Sequence, residues 1–531
     1  MTDVTRRTLL AGGALTAGAI LLDGPAALAD RRFRAARPKV PVATAGGFSL
    51  GVAAGMPSTT GAVLWTRVDD LARTSFLTLE IATDKGFRRV VQRKRIRATA
   101  VRDFTARHQA TGLKPGTEYF YRFHTRTTDS PVGRLRTLRP PDSAEPVRIG
   151  VMSCQSYEAG YYTALAGLAA EDDLDLVVGL GDYIYEHHFY DGPAARRDTT
   201  GANKDGDVQT LAEYRSKYRL YKADENLQAV HHRFPFVSVW DDHEVEDNYR
   251  AGGPDSASTD PATLENDNRY PRRVPFAERQ RAGYLSYFEY LPIVRRKPVG
   301  NVIYGAVNLG RHATVFLTDQ RQYRSPQPCA DQIAAPCAAA SDPAQTMLGA
   351  KQKAWFKEAL KQSRATWKLW ASEVMLMGWD SAPGVQLNQD GWDGYKAERT
   401  EILRHVLDNG IKNLSVLTGD IHTYVAGSLY TDGRITGEPV GTEFVGGSVS
   451  SLGLEATFGP ATAASQLLRA TNLHFAYLDT VRRGYMTVTA DADALKVQFR
   501  SPDSTMVEQS PVSTLATFTV ASGSTTVQQQ G

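Results

Sequence analysis

From Phe48 to about Thr137 apolar and polar residues alternate in short runs broken by Gly and Pro, as in 62–67 (AVLWTR), 77–81 (LTLEI) and 119–123 (YFYRF). Alternation with period two puts every second side chain on one face of a pleated strand, so this stretch predicts a small β-sandwich. After Arg139-Pro140-Pro141 the pattern changes. Residues 147–152 (VRIGVM) and 174–180 (LDLVVGL) are apolar nearly throughout, as in strands covered on both faces, and a helical stretch over 160–170 separates them. Strand, helix, strand is a βαβ unit and argues for an α/β domain. Two more strands of the buried kind follow at 235–240 (PFVSVW) and 414–418 (LSVLT). Residues 251–275 and 322–346 read as long surface loops, and no internal repeat or long low-complexity segment appears.

Four of these strands run into polar residues that can hold a metal: Ser153-Cys154-Gln155, Gly181-Asp182-Tyr183-Ile184-Tyr185-Glu186, Trp240-Asp241-Asp242-His243-Glu244 and Gly419-Asp420-Ile421-His422. Ligands of α/β folds collect beyond the carboxyl ends of strands, so these clusters are expected to converge. Any one of them alone reads equally well as a turn or a helix cap. Four at four strand ends point to a metal centre. Asp182 follows a glycine that permits a tight turn, and its two oxygens suit it to bridge two cations. Two cations about 3.5–4 Å apart clamp a phosphate and activate hydroxide for in-line attack. Asp420 and His422 lie two apart, on one side of an extended segment, where both can reach one centre.

The N-terminus adds a compartment. Thr5-Arg6-Arg7-Thr8 precedes an apolar stretch over residues 9–22, and Ala27-Leu28-Ala29 supplies small residues for a cut site. This is a secretory signal, and the paired arginines resemble a twin-arginine (Tat) signal read by the export machinery for folded proteins. A stretch of this length is short for about 30 Å of hydrocarbon, and no later segment is expected to span a membrane. Of three cysteines, Cys329 and Cys337 flank a short loop and suit a disulfide in an oxidising compartment, which leaves Cys154 alone in the chemical cluster. The chain has 531 residues, 42% hydrophobic and 22% charged. Its net charge of +3, with no concentrated basic run, gives no footprint for nucleic acid. The expected plan is a signal peptide (1–29), a linker (30–45), an N-terminal β-sandwich (46–140), a catalytic domain (146–515) and a C-terminal tail (516–531).

The order Gly-Asp-x-x-Tyr, Asp-Asp-His-Glu, Gly-Asp-x-His resembles the calcineurin-like metallophosphoesterase superfamily. With Ser153-Cys154-Gln155, the same segments resemble its alkaline phosphatase D (PhoD-like) family, and the signal and the N-terminal β region extend the likeness over nearly the whole chain. Leu113-Lys114-Pro115-Gly116-Thr117-Glu118-Tyr119 resembles the tyrosine corner of fibronectin type III-like domains. The resemblance implies a calcineurin-like β-sandwich flanked by helices, with a small all-β fibronectin type III-like domain before it. It also implies a secreted phosphomonoesterase and phosphodiesterase acting on organic phosphate esters.

Carried over by motif, Cys154, Tyr185 and His422 bind Fe3+ with Asp182 bridging, and a thiolate with a phenolate suits the trivalent ion. Asp182, Asp242 and Asp420 hold a second ion, Ca2+ or Mn2+ on all-oxygen ligation. His243, with Asp242 beside it, is the catalytic proton donor or charge stabiliser. Two departures from the superfamily matter: Asp242 stands where Asn is usual, and Asp420 where His is usual. Both shift the second site towards carboxylates. No histidine follows Trp370 as an intermediate ligand, and Glu373 stands roughly in its place. Asn248, Trp379 and residues 390–395 are candidates either for the pocket wall or for plain loop packing. Two other functions remain open: a metal-dependent phospholipase D, and a non-catalytic extracellular binding module.

Overall fold

The computed structural model describes residues 40–188, 194–254, 272–295, 300–328, 337–387, 389–455 and 462–530. The expected signal peptide and most of the linker lie outside these residues.

Two large sheets face each other. In the first, Val147–Met152, Leu176–Leu180 and Phe236–Val239 run parallel at the centre. Tyr485–Ala490 joins this trio antiparallel, followed outward by Ala494–Pro502, Val512–Ala521 and Gln528–Gln530. In the second sheet Ala313–Leu317, Trp367–Ser372, Leu414–Thr418 and Pro439–Gly446 are parallel, flanked by Gly305–Leu309 on one side and by Tyr424–Tyr430 and Phe475–Asp479 on the other. Ile149, Val151, Val178, Leu180, Val237 and Val239 of the first sheet bury against Val315, Leu317, Leu369, Leu417 and Phe444 of the second.

Helices close both outer faces, which is why the central strands carry apolar residues on both sides. Leu165, Leu168, Tyr214, Tyr218, Leu227, Val230 and Tyr287 cover the first sheet from Thr163–Ala170, Leu211–Lys222, Glu225–Arg233 and Phe276–Tyr290. Phe356 and Leu360 of Gly349–Gln362, with Ile402, Leu403 and Val406 of Lys396–Asp408, pack on Phe316, Trp370 and Val416 of the second. Leu211–Lys222 starts at a reciprocal cap: Glu213 N–H donates to Thr210 Oγ1, and the Thr210 N–H donates to Glu213 Oε2 at 3.0 Å. Such a cap contributes about 1 kcal/mol. The layering is the sandwich flanked by helices that the family resemblance implies, and its central strands are covered on both faces as their apolar pattern requires.

The N-terminal region is all-β apart from one short turn of 3-10 helix, Ala100–Arg102. Lys114 N–H donates to Tyr119 Oη at 2.9 Å, the bond a tyrosine corner requires. The expected sandwich is present, with Val52, Ala54, Leu64 and Ala106 packed on Leu77, Leu79, Tyr121 and Leu135 in a core of their own, but one of its two sheets is shared with the rest of the chain. Ser75–Ala82, Val90–Ala98, Glu118–His124 and Gly133–Arg136 form a four-stranded sheet, while Val52–Ser58, Gly61–Arg67 and Thr105–Ala110 extend the large first sheet through Gly55 opposite Phe236. Pro41–Gly531 accordingly forms one compact unit. Two expectations are corrected. Val42 bridges to Phe76, so the linker ends before it, and residues 516–531 are no tail: Val512–Ala521 and Gln528–Gln530 are the outer strands of the first sheet. Phe518 and Val520 bury in the core between the sheets, which gives that segment its reason to pair.

Cys154 is a free, buried thiol. Cys329 lies outside the described residues, and with it the expected link to Cys337. No helix among the described residues is long and apolar enough to cross a membrane.

Candidate metal centre and active site

The four metal-capable strand ends meet at one edge of the sandwich, and three of them turn there in a left-handed backbone. Cys154 has φ +58°, Asp182 +53°, Asp420 +69° and His422 +51°, none of them glycine. Each such residue costs on the order of 1–3 kcal/mol and persists only where surrounding contacts impose it. The expectation of an extended segment from Asp420 to His422 is therefore corrected. Both residues reach one centre through a sharp turn, closed by the Ile421 N–H donating to the Gly419 carbonyl at 2.9 Å. Gly181 supplies the one turn a side chain cannot make. Its φ is +99°, and a Cβ there would stand 2.4 Å from the Cβ of Asp241. The Glu244 carboxylate fastens the two central turns together, accepting N–H bonds from Asp182 (3.2 Å), Tyr183 (2.7 Å) and Asp241 (2.9 Å).

Two ligand groups result. Donor atoms of Cys154, Asp182 and His422 lie within 4.8 Å of one another, and so do those of Asp182, Asp242 and His243. Asp182 belongs to both, as a bridging carboxylate must. Tyr185 joins the first group: its hydroxyl donates to Asp182 Oδ2 at 3.0 Å, meets His422 Nε2 at 3.0 Å and accepts from Ser451 Oγ at 2.8 Å. His422 Nδ1 is held by the Leu452 carbonyl at 2.7 Å, which places the proton on Nδ1 and presents Nε2 as a neutral donor. On the other side of Asp182, the His243 ring stacks on Tyr185 with centroids 4.1 Å apart and its Nδ1 is bound by Glu186 Oε2 at 2.7 Å.

These donors fit cations. Asp182 Oδ1 is buried with no hydrogen-bond partner, a costly state for a carboxylate unless something positive meets it. Burial pushes the Cys154 thiol well above its ordinary range, and the Asp182 charge adds to that push, so the thiolate needs a cation beside it. Burial likewise raises Asp182 and Asp420, and it takes His422 down to about 3. For His243, burial opposes the charged form, but Asp242, Glu186 and Asp182 outweigh it and hold the imidazolium well above the usual histidine value. For Asp242 burial is outweighed by Arg321 and His243, and the carboxylate stays ionised.

Asp420 belongs to neither tight group. Its Oδ1 lies 3.5 Å from Nη2 of Arg321, a fully buried residue that sequence reasoning passes over. Arg321, Arg324 and Ser451 are the additions the structure makes, and Glu186 and Glu244, which close two of the strand-end motifs, gain roles as fasteners. Arg321 follows the apolar strand Ala313–Leu317 in the same way that the ligands follow theirs, so the strand-end signal was available for it. Glu373 lies in neither ligand group among the described residues. Its Oε2 accepts from Thr318 Oγ1 at 3.3 Å and its Oε1 has no partner. Asn248 is drawn to the site through its backbone, its N–H donating to Asp242 Oδ2 at 2.7 Å. Trp379 and Asp393 pack elsewhere: the Trp379 N–H binds Asp393 Oδ2 at 3.0 Å, and Asp393 pairs with Arg399 and Arg434. Asp390 alone of that segment turns to the site, through Arg321 and Arg324.

Residues 149–499 match the family described as PhoD-like phosphatase, and residues 34–139 match the PhoD-like phosphatase N-terminal domain. Alkaline phosphatase D of Bacillus subtilis (strain 168) is 33% identical over 489 residues, spanning 89% of this chain and 80% of that protein. The solved structure of PhoD superposes with a TM-score of 0.81 at 29% identity, covering 93% of this chain and 94% of the other. A purple acid phosphatase of yellow lupin shares the fold, with a TM-score of 0.55 at 12% identity over 89% of this chain and 73% of its own. The chain belongs to the PhoD-like phosphatase family and is a hydrolase of phosphate esters.

Proposed function

We propose that the chain is an exported, metal-dependent phosphoesterase that hydrolyses organic phosphate mono- and diesters. In this reading Fe3+ is held by Cys154, Asp182, Tyr185 and His422, and a second ion, Ca2+ or Mn2+, by Asp182, Asp242 and Asp420. The observation that carries the reading is Asp182, common to both ligand groups and left with one buried oxygen unpartnered. When bound, the cations supply Lewis acidity to the phosphoryl group and lower the pKa of the attacking water.

The chain's own residues do the rest. Glu186 holds the His243 ring through Nδ1 and Tyr185 supports one face, so Nε2 carries the proton for a phosphoryl or leaving-group oxygen. The Ser451 hydroxyl donates to Tyr185 Oη, and the Leu452 carbonyl fixes His422, so both donors stay aimed without rearranging. Export follows the paired arginines Arg6 and Arg7, and in that compartment Cys329 and Cys337 are proposed to pair.

The test uses the purified mature chain. It is assayed on p-nitrophenyl phosphate, its bis-ester and phosphatidylcholine, with and without chelator, beside elemental analysis and a visible spectrum. The reading expects chelator-sensitive hydrolysis of the first two esters, bound iron and a phenolate-to-iron absorption band that Tyr185→Phe abolishes. An iron-loaded Tyr185→Phe protein that keeps the band removes Tyr185 from the ligand set. Turnover of phosphatidylcholine alone transfers the function to phospholipid diesters.

A further inference from the structure

Arg321 is fully buried at the end of a second-sheet strand. Its Nε donates to Asp241, and its Nη1 donates to Asp390 Oδ2 at 2.6 Å. Arg324, buried beside it, pairs through Nη1 with the other Asp390 oxygen at 2.6 Å. Two acceptors on different edges of a planar guanidinium fix its plane and leave Nη2 aimed. That nitrogen lies 3.5 Å from Asp242 Oδ1 and 3.5 Å from Asp420 Oδ1. The two carboxylates come from opposite sheets, Asp242 after Phe236–Val239 and Asp420 after Leu414–Thr418. As carboxylates the two repel each other, and a cationic group between them offsets that repulsion.

We propose that Arg321, aimed by Asp241 and Asp390, is a positioning residue that holds Asp242 and Asp420 in register across the sandwich and thereby sets the affinity of the second, divalent cation. The inference rests on the two-cation reading above. Its charge balance is consistent. Asp241, Asp242, Asp390 and Asp420 bring four negative charges against the two guanidinium charges of Arg321 and Arg324, and the excess lies on the Asp242 and Asp420 side. Lysine would not substitute, because a single ammonium point cannot hold Asp241 and Asp390 while still reaching both ligand carboxylates.

The experiment compares the wild-type chain with Arg321→Lys, which keeps the charge, and Asp390→Asn, which keeps Arg321 but frees its aim. After removal of the divalent ion, Ca2+ is titrated calorimetrically while the visible band monitors the first site. The expected result is Ca2+ binding at least tenfold weaker in both variants, with the band unchanged and activity recovered at raised Ca2+. Unchanged Ca2+ affinity in the folded variants would make Arg321 a purely structural charge and overturn the proposal. Loss of the visible band together with Ca2+ binding would overturn it too, by showing that Arg321 holds up the whole site. A wild-type chain that takes up no divalent ion sinks the two-cation reading instead. If Arg321→Lys does not fold, Asp390→Asn decides alone.

Discussion

At the scale of single residues, the centre is a set of groups whose ordinary chemistry is displaced. Cys154 will not ionise unaided, His422 stays neutral, and His243 stays protonated beyond the usual histidine range. That last displacement gives a pH prediction. His243 acts while protonated, so the rate falls on the alkaline side, at a pH above the ordinary histidine value of about 6.5. In His243→Asn this limb disappears and kcat drops by roughly 10²–10⁴, the usual worth of a positioned proton donor. A pH profile of both proteins reads this directly, and an unchanged limb in the variant assigns it to another group. The stability contribution has the same sign. A raised folded-state pKa means that pairing of His243 with Glu186 stabilises fully below the unfolded value and is lost as pH rises through the folded one. The ligand residues were legible in the sequence because each is metal-capable and follows an apolar strand. Arg321 carried only half of that signal, since it follows an apolar strand but a guanidinium is no ligand. Ser451 was not legible, its partner Tyr185 standing 266 residues away, and Asp390 was legible only as a pocket-wall or loop-packing candidate because its partner Arg321 is 69 residues distant.

Elements aim these residues through strand ends that turn at once. The strands at 147–152 and 414–418 were legible in full, since short, mostly apolar runs rich in Val, Ile and Leu and bounded by Pro146 and Ser153 or by Asn413 and Gly419 admit little else. The left-handed turns after them were not, because non-glycine residues adopt that backbone only where tertiary contacts force it, here the Glu244 carboxylate and the Gly181 carbonyl that accepts from Cys154 N–H. Gly181 is the exception that the sequence does print. Gly181→Ala is expected to cost about 1–3 kcal/mol, from φ +99° and the 2.4 Å approach to Asp241, and to cut activity by displacing Asp182. A denaturant melt with a rate measurement checks both. A variant as stable and as active as wild type would show that this turn has room to spare.

On the scale of the whole molecule, the site sits where two sheets meet, and no single strand pair could build it. Asp182 and Asp242 come from the first sheet, Asp420 and His422 from the second, and the burial of Leu180, Val239 and Leu417 in one core holds the halves in register. A sheet covered on both faces was readable from the strand grammar, and its pairing into a two-sheet sandwich came from the family resemblance. The shared first sheet was not readable, since Gly55 opposite Phe236 is a single long-range pairing with no local signal; the outer strand Val512–Ala521 did carry one, with Ala516, Phe518 and Val520 alternating with Thr517 and Thr519, and the tail reading passed over it. The proposed Cys329–Cys337 link predicts one free thiol when the denatured, unreduced chain is titrated, and three would exclude it. The central claim is that Asp182 joins two cation sites into one catalytic centre. Its most direct test is hydrolysis of p-nitrophenyl phosphate by Asp182→Ala, with metal content measured on the same sample. The predicted result is loss of both bound metals and of essentially all activity in a chain that still folds. A folded Asp182→Ala protein that hydrolyses the ester at the wild-type rate would contradict it.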